Sequence, residues 1–297
     1  MLVKPASNPA ASYEEAITRA RAVMARDDAA IAPIGHTALL EHGNKAPWAV
    51  VLFHGYTNHP GQYREFAPLL HALGANVYVP RMPDHGYANR LTNALATLSA
   101  EQLVVAAYDA VDIARGLGDR VAVLGISMGG LQAAYAGVYR DDVAVCVPVA
   151  PDFTVLQIGF GAMMLLKNLM LALPNVFLWW DPRLGANMHP ATAYPRFSTH
   201  ALMQTLRIGE AIHRTANTIP TRGGRVTTVI NRADPAVNGA VAQEVVEQWK
   251  RLRASGIELI AYNDLPENHD IIEPDNPMQR TAIVYPRLLE ALAIHSS

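Results

Sequence analysis

Strand-length apolar runs alternate with helical segments along most of this chain, and the alternation limits the folds open to it. The early apolar runs span residues 48–53, 76–80, 121–125 and 143–147. Continuous apolarity, rather than apolarity at every second residue, is typical of strands that are covered on both faces. Capping-box patterns at Ser12 and Ser99 open two of the helical segments. The sequence therefore predicts an α/β fold with a mostly parallel central sheet flanked by helices.

The alternation is interrupted once and then resumes. Strands are again predicted at residues 225–230 and 257–261, each followed by a helical segment. An interruption within one sheet is typical of a cap inserted into a core domain. We therefore predict a core of residues 1–152 and 218–297 and a helical cap of residues 153–217. A chain of 297 residues is long enough for one large core and such a second element.

Residues 155–180 are apolar with few exceptions and are long enough to span a bilayer. The segment contains Pro174 and lies between two predicted strands. A membrane span there would put the halves of one sheet on opposite sides of the membrane. We therefore expect no stable membrane insertion and interpret the segment as an apolar cap over a binding cleft that can contact a lipid interface.

Charge and cysteine content exclude other classes of protein. With 17% charged residues and a net charge of -2, the chain has no broad positive electrostatic field that would attract nucleic acid, and we expect no nucleic-acid partner. Cys146 is the single cysteine, so no intramolecular disulfide can form, and its apolar surroundings predict a buried structural thiol. The N-terminal residues lack the apolar region of a secretory signal, and we expect a cytoplasmic protein.

The strongest functional motif is Gly125-Ile126-Ser127-Met128-Gly129, which lies directly between a predicted strand and a predicted helix. A nucleophile on so sharp a turn needs small neighbours, because side chains two residues away would collide with the turn. The helix N-terminus also favours negative charge that develops on a carbonyl oxygen during attack. We predict that Ser127 is a nucleophile; the alternative is a glycine-rich turn with a solvated serine.

A serine nucleophile requires a base and an orienting acid, which in this context follow it in the chain. His269 lies in the loop after the last predicted strand and is the predicted base. Asp234, which follows the strand at residues 225–230, is the predicted acid, and Asp152 is the main alternative because it also follows a strand. Asp264 and Asp270 lie so close to His269 in the sequence that turn formation explains them better.

The end of the first long strand predicts an oxyanion hole. His54 and Gly55 follow this strand directly, and the glycine allows the backbone to turn and present an N–H beside the nucleophile. The expected donors are the backbone N–H groups of Met128 and Tyr56. His54 is expected to brace the loop rather than transfer protons.

These motifs together resemble the carboxylesterase and monoacylglycerol lipase group of α/β-hydrolases. The resemblance extends from about Trp48 to the end of the chain and is carried by residues 52–57, 80–86 and 125–130, Asp234 and His269. In that group the residue after the His-Gly pair is often Phe and supplies an oxyanion N–H, which corresponds to Tyr56. A loop that commonly reads Gly-His-Gly has Asp84 in its first position here. This departure bears on the subfamily rather than on the chemistry.

The resemblance implies hydrolysis of a small-molecule ester with an apolar acyl chain, through an acyl-enzyme on Ser127 and without a cofactor. Apolar residues of the cap would then line or cover an acyl pocket, with Phe160, Met164, Trp179 and Trp180 as the predicted substrate-binding residues. The alternative for each of them is packing of the cap against the core.

Other functions remain to be weighed against ester hydrolysis. The sequence has no His-Glu-x-x-His motif and no cysteine pair, so we expect no bound metal. A dehalogenase would need a carboxylate at the position of Ser127. A perhydrolase or haloperoxidase-like enzyme without cofactor would keep the same residues, and a ligand receptor with no turnover or slow turnover could retain the fold.

Overall fold

The computed structural model describes residue 2, residues 4–181 and residues 193–294. The strands are β1 (Ala38–Leu40), β2 (Ala46–Phe53), β3 (Asn76–Val79), β4 (Gly118–Ile126), β5 (Val145–Val149), β6 (Phe177–Trp179), β7 (Arg196–Ser198), β8 (Arg225–Asn231) and β9 (Ile257–Tyr262). The helices are α1 (Tyr13–Met24), α2 (Phe66–Ala72), α3 (Ala100–Leu117), α4 (Met128–Tyr139), α5 (Phe160–Ala172), α6 (Thr199–Thr215), α7 (Gly239–Leu252) and α8 (Thr281–Leu292).

Seven strands form one sheet in the order β1-β3-β2-β4-β5-β8-β9. The edge strand β1 is antiparallel to β3, and every other neighbouring pair is parallel. The predicted mostly parallel sheet is therefore confirmed. Since the carboxyl ends of parallel strands meet at one edge, the loops after β2, β4, β5, β8 and β9 lie along the same side of the sheet.

Both faces of the sheet are covered, which explains the continuous apolar runs. In β2, Val51 and Phe53 pack into a cluster with α1, α3, α4, α6 and α7. Val50 and Leu52 face the other way and pack with α2 and α8. Successive side chains of a strand point to opposite faces, so both sets must be apolar.

The predicted capping boxes differ in detail. At Ser99 the box is complete, because the Ser99 hydroxyl accepts from the Gln102 N–H and the Gln102 side chain accepts from the Ser99 N–H. At Ser12 the hydroxyl accepts from the Glu15 N–H, but the Glu15 carboxylate accepts from the N–H of Ala11 instead. Both serines nevertheless begin their helices as predicted.

Between β5 and β8 the chain forms α5, α6 and a separate antiparallel pair of strands, β6 and β7. Met163 and Met164 of α5 pack on Met203 and Leu206 of α6. Helix α6 also contacts α4, so it joins this insertion to the helices that cover the sheet. The division into core and cap stays a prediction, and residues 182–192 of the predicted cap, with residues 1, 3 and 295–297 of the predicted core, lie outside the described residues.

Within the described part of the chain, no helix combines the length and the apolarity needed to cross a membrane.

Candidate active site

Ser127 lies on the turn between β4 and α4, in a backbone conformation with φ 58° and ψ -119° that non-glycine residues rarely adopt. A Cβ at Gly125 would lie 2.1 Å from the carbonyl oxygen of Gly129, and a Cβ at Gly129 would lie 2.1 Å from that of Phe53. Neither position can accept a side chain. The surrounding backbone thus holds Ser127 in a strained conformation that lifts its side chain off the end of the strand.

Asp234 and His269 come together at the ends of the neighbouring strands β8 and β9. His269 Nδ1 lies 2.7 Å from Asp234 Oδ2. The Asp234 side chain is 2% exposed, and its Oδ1 accepts from the N–H groups of Ala236 and Val237 at 2.8 and 3.2 Å. The carboxylate is therefore fixed in place and fixes the imidazole in turn.

Negative charge around His269 makes its imidazole a stronger base than free histidine. Burial favours the neutral ring, but the charge of Asp234 and its hydrogen bond outweigh burial, and the charges of Asp270 and Asp152 add to them. Together they raise the pKa of His269 to about 8. The site is thus arranged to stabilise an imidazolium ion.

Ser127 and His269 line the same cavity, which has a volume of about 980 Å³. Tyr56 lines this cavity too. The backbone N–H groups of Tyr56 and Met128, the two predicted oxyanion donors, donate to no acceptor among the described residues. They are available to an oxygen atom bound beside Ser127. The structure thus brings the predicted nucleophile and base to one space, with Asp234 behind the base.

Two side chains brace the loop that carries Tyr56. The Met82 N–H donates to His54 Nε2 at 3.1 Å, so the other ring nitrogen of His54 carries the proton and donates to the Gly55 carbonyl at 3.0 Å. Burial lowers the pKa of His54 well below its usual value, which keeps this ring neutral. His54 therefore acts structurally, as expected.

Gln62 links this loop to the loop of the base, a contact that the sequence did not indicate. Its Oε1 accepts from the Gly55 N–H at 2.9 Å, and its Nε2 donates to Asp270 Oδ2 at 2.6 Å. Asp270 Oδ1 accepts from backbone N–H groups at residues 272 and 273, which is the predicted turn role. Asp270 thus has a second contact, which connects the residue after His269 to the predicted oxyanion loop.

Hydrogen bonds join the insertion between β5 and β8 to the loop after β2, which carries Tyr56. Trp180 Nε1 donates to Thr57 Oγ1 at 3.0 Å, and the Tyr194 N–H donates to the Thr57 carbonyl at 2.8 Å. The Tyr56 hydroxyl donates to the Ser198 carbonyl at 2.9 Å. Contacts from the insertion therefore hold both Tyr56 and its neighbour Thr57.

Of the predicted substrate-binding residues, Trp180 lines the cavity, whereas Phe160, Met164 and Trp179 are not among the described residues that do. Phe160 stacks on the ring of His213. Met164 is buried between α5 and α6. Trp179 is the last residue of β6 and is exposed, as is Trp180, which follows the strand. These three residues are outside the described lining of this cavity, and their role in substrate binding stays a prediction.

The apolar lining comes mostly from residues that the sequence did not single out. They belong to the start of the insertion, to β7 and α6, and to the loop after β8; they include Val155, Leu156, Phe197, Leu202 and Val237. Their apolar character is shared with many core positions, so sequence gave no signal that separated them. Asp152 also lines the cavity and accepts from Thr205 rather than bonding to His269.

Among the described residues, no group of three or more His, Cys, Asp or Glu side chains is arranged to hold a metal ion.

Residues 50–286 match a family model described as "Alpha/beta hydrolase family". No curated protein sequence matches the chain. Similar solved structures include metagenome-derived lipolytic enzymes described as LipS and LipT (TM-score 0.65, 17% identity, covering 89% of this chain and 100% of that one). The monoacylglycerol lipase of Paleococcus ferrophilus has a TM-score of 0.62 at 20% identity, covering 86% and 98%. A soluble variant of monoglyceride lipase from Saccharomyces cerevisiae, in complex with a substrate analogue, has a TM-score of 0.67 at 13% identity, covering 88% and 91%.

The electrostatics of His269 predict its titration. NMR of the histidine ring nitrogens should give a pKa near 8 for His269 in the native protein. Asp234→Asn should lower this pKa by about 1–3 pH units, because the amide removes the negative charge that opposes the effect of burial. Asp264→Asn, at an exposed position in the same loop, is the matched control and should leave the pKa in place. An unchanged pKa in Asp234→Asn would contradict the assignment of Asp234 as the dominant partner.

Proposed function

This chain belongs to the alpha/beta hydrolase family, and on that premise we propose that it is a serine hydrolase of the carboxylesterase or monoacylglycerol lipase type. It cleaves carboxylic esters through an acyl-enzyme on Ser127. The observation that carries the proposal is the convergence of Ser127 and His269 on one cavity, with Asp234 hydrogen-bonded to the far nitrogen of the imidazole. This arrangement is the one that nucleophilic acyl transfer requires.

In the proposed mechanism, His269 Nε2 takes the hydroxyl proton of Ser127 while Oγ attacks the ester carbonyl. The carbonyl oxygen becomes an oxyanion and accepts hydrogen bonds from the N–H groups of Met128 and Tyr56. The imidazolium then gives its proton to the departing alcohol, which leaves the acyl group on Ser127. A water molecule, deprotonated by His269, releases the acid and restores the serine.

Asp234 keeps the His269 ring in the reactive tautomer. Its carboxylate accepts from Nδ1, which leaves Nε2 without a proton and free to act as a base. Two backbone N–H groups fix the carboxylate from the other side, so it can orient the ring without moving itself. The pKa of His269 near 8 supports the imidazolium that forms during attack.

The choice of carboxylic esters is supported by the solved structures that share the fold. They include lipolytic enzymes, monoacylglycerol lipases and an esterase, Est1E from Butyrivibrio proteoclasticus, with ferulic acid bound. The cavity itself adds an independent argument. Its apolar lining residues, such as Leu156 and Leu202, suit the acyl chain of an ester better than a polar substrate.

We also propose that residues 153–217 are a cap that contacts lipid. Large apolar side chains of α5 and the segment after it are exposed, among them Leu165 at 73% and Leu169 at 56%. A contiguous exposed apolar surface on one helix is typical of a site that meets a membrane or a partner. An enzyme that takes up long acyl chains gains from such contact, because these substrates collect at lipid interfaces.

Substitution of the proposed catalytic residues gives the first test. Hydrolysis of p-nitrophenyl butyrate should fall about 10⁴-fold or more in Ser127→Ala and about 10⁴-fold in Asp234→Asn, because the nucleophile or the orientation of the base is lost. Fluorophosphonate labelling should disappear in Ser127→Ala, while circular dichroism stays unchanged. Asp264→Asn should keep wild-type turnover. Binding of the ester without Ser127-dependent turnover would support a receptor instead.

The apolar cavity predicts a preference for medium or long acyl chains. The value of kcat/KM for p-nitrophenyl esters should rise from acetate to octanoate, by up to about 0.8 kcal/mol of binding for each buried methylene. Leu202→Gln, which places an amide in the cavity wall, should reduce the preference and affect octanoate more than acetate. A rate that falls steadily from acetate to octanoate would rule out an acyl-binding role for the cavity.

The exposed face of α5 predicts binding to vesicles. Flotation with phosphatidylcholine vesicles should recover less of the double variant Leu165→Ser, Leu169→Ser than of the native protein, because about 1.5–3 kcal/mol of apolar transfer is lost for each leucine. Leu91→Ser and Ile283→Ser remove exposed apolar side chains elsewhere and serve as controls. Equal recovery of all the variants would exclude α5 as the lipid-binding surface.

A further inference from the structure

Asp152 is a buried carboxyl group in the cavity wall to which the proposed mechanism gives no task. It follows β5 by a few residues and is 2% exposed. It lines the same cavity as Ser127 and His269. Since His269 bonds to Asp234, Asp152 is not needed to orient the base.

The hydrogen bonds at Thr205 bear on the protonation of Asp152. Thr205 Oγ1 lies 2.9 Å from Asp152 Oδ2 and 2.8 Å from the Leu202 carbonyl oxygen. A hydroxyl has one proton, and a carbonyl oxygen can only accept. Thr205 can therefore donate to Asp152 Oδ2 when the carboxyl group is ionised, or donate to Leu202 and accept from Oδ2 when the group is protonated. In either protonation state Thr205 pairs with Oδ2 of Asp152 and leaves Oδ1 open.

Burial favours the neutral form of Asp152. Among the described residues no lysine or arginine forms an ion pair with Asp152. Burial raises the pKa of Asp152 to about 7, although the bond to Thr205 and the charge of His269 act in the opposite direction. A buried carboxyl without a cation is more stable when it is uncharged.

The second oxygen of Asp152 is unpaired in the described part of the chain. Oδ1 is buried and makes no hydrogen bond within the described residues. A buried polar atom without a partner is rare in folded proteins and is paired in most cases by a water molecule or a ligand. Because Asp152 lines the cavity that Ser127 also lines, a substrate bound there is the candidate partner for this oxygen.

We propose that Asp152 Oδ1 is an acceptor for a hydroxyl group of the substrate, so that the protein selects esters with a hydroxyl a few bonds from the scissile carbonyl. This inference rests on the proposed ester hydrolysis and specifies its substrate class. Because Thr205 pairs with Oδ2 in either protonation state, Oδ1 is an open acceptor that suits a hydroxyl donor. An ammonium group would instead require an ionised carboxylate.

Matched esters test the proposal. The pair 2-hydroxyethyl octanoate and propyl octanoate places the hydroxyl on the alcohol half, and the pair ethyl 3-hydroxyoctanoate and ethyl octanoate places it on the acyl half. The native protein should favour the hydroxyl-bearing ester of one pair by about tenfold in kcat/KM, since the ester without it leaves Oδ1 unpaired. The pair that responds identifies the half of the substrate that Asp152 contacts.

Variants of Asp152 separate recognition from packing. Asp152→Asn keeps a side-chain carbonyl for the substrate and an amide to donate to Thr205, so the preference should persist. Asp152→Leu removes the acceptor, while Thr205 still donates to Leu202, and the ratio within the responding pair should fall to about one. Asp264→Asn is the exposed control and should keep the native ratio. If Asp152 only held α6 in place through Thr205, its replacement would not change the ratio of kcat/KM between two matched esters.

Binding measurements distinguish failure of this inference from failure of the proposed function. Isothermal titration of the same ester pairs into Ser127→Ala should give the same preference as the kinetics, and adding Asp152→Leu should abolish it. If no ester is hydrolysed but the hydroxyl-bearing ester still binds more tightly, the proposed ester hydrolysis is wrong and the proposed hydroxyl site at Asp152 is supported. If the native protein treats both esters of each pair alike, the inference is wrong, whatever the variants show. Stronger binding of 2-(dimethylamino)ethyl octanoate than of the hydroxyethyl ester would also overturn it.

Discussion

The close approach of three backbone segments around Ser127 is the constraint on which the site depends. The Phe53 carbonyl at the end of β2 lies where a Cβ of Gly129 would be, and Gly129 packs against Gly125 in the same way. Only glycine permits this contact, and it sets the loop after β2 directly beside the start of α4. The two proposed oxyanion donors, Tyr56 and Met128, are adjacent because these segments are.

The parallel sheet brings the remaining groups to the same edge. Ser127, Asp152, Asp234 and His269 follow β4, β5, β8 and β9, which are neighbours in that order. A site assembled from strand ends needs no long side chains to reach across, and each group is held by the strand that precedes it. The three carboxyl groups near His269 then differ by their partners. Asp234 accepts from His269 and from the backbone, Asp270 accepts from Gln62, and Asp152 has Thr205 as its one hydrogen-bond partner among the described residues.

The sequence was sufficient to predict features that depend on neighbouring residues. It was not sufficient for contacts between residues that are far apart in the chain. The turn at Ser127 depends on glycines within two residues, and the position of His269 depends on a strand directly before it, so both could be predicted. The link from Gln62 to Asp270 joins residues 208 positions apart, and no pattern around either residue indicates it. Cap residues were predicted from a family resemblance and from apolarity, and neither distinguishes Trp180 from its neighbour Trp179. Trp180 is held in the cavity wall by its bond to Thr57, which is 123 residues away in the chain.

The insertion between β5 and β8 contributes to the structure of the site in two ways. It supplies Phe197 and Leu202 to the cavity wall, and it holds the loop after β2 through Trp180, Tyr194 and the Ser198 carbonyl. Thr57 receives two of these bonds and has φ 63°, so its backbone depends on its surroundings to stay in place. The direction of the neighbouring Tyr56 N–H follows from that backbone. The apolar wall of the cavity and the placement of the proposed oxyanion donor Tyr56 therefore depend on the same insertion.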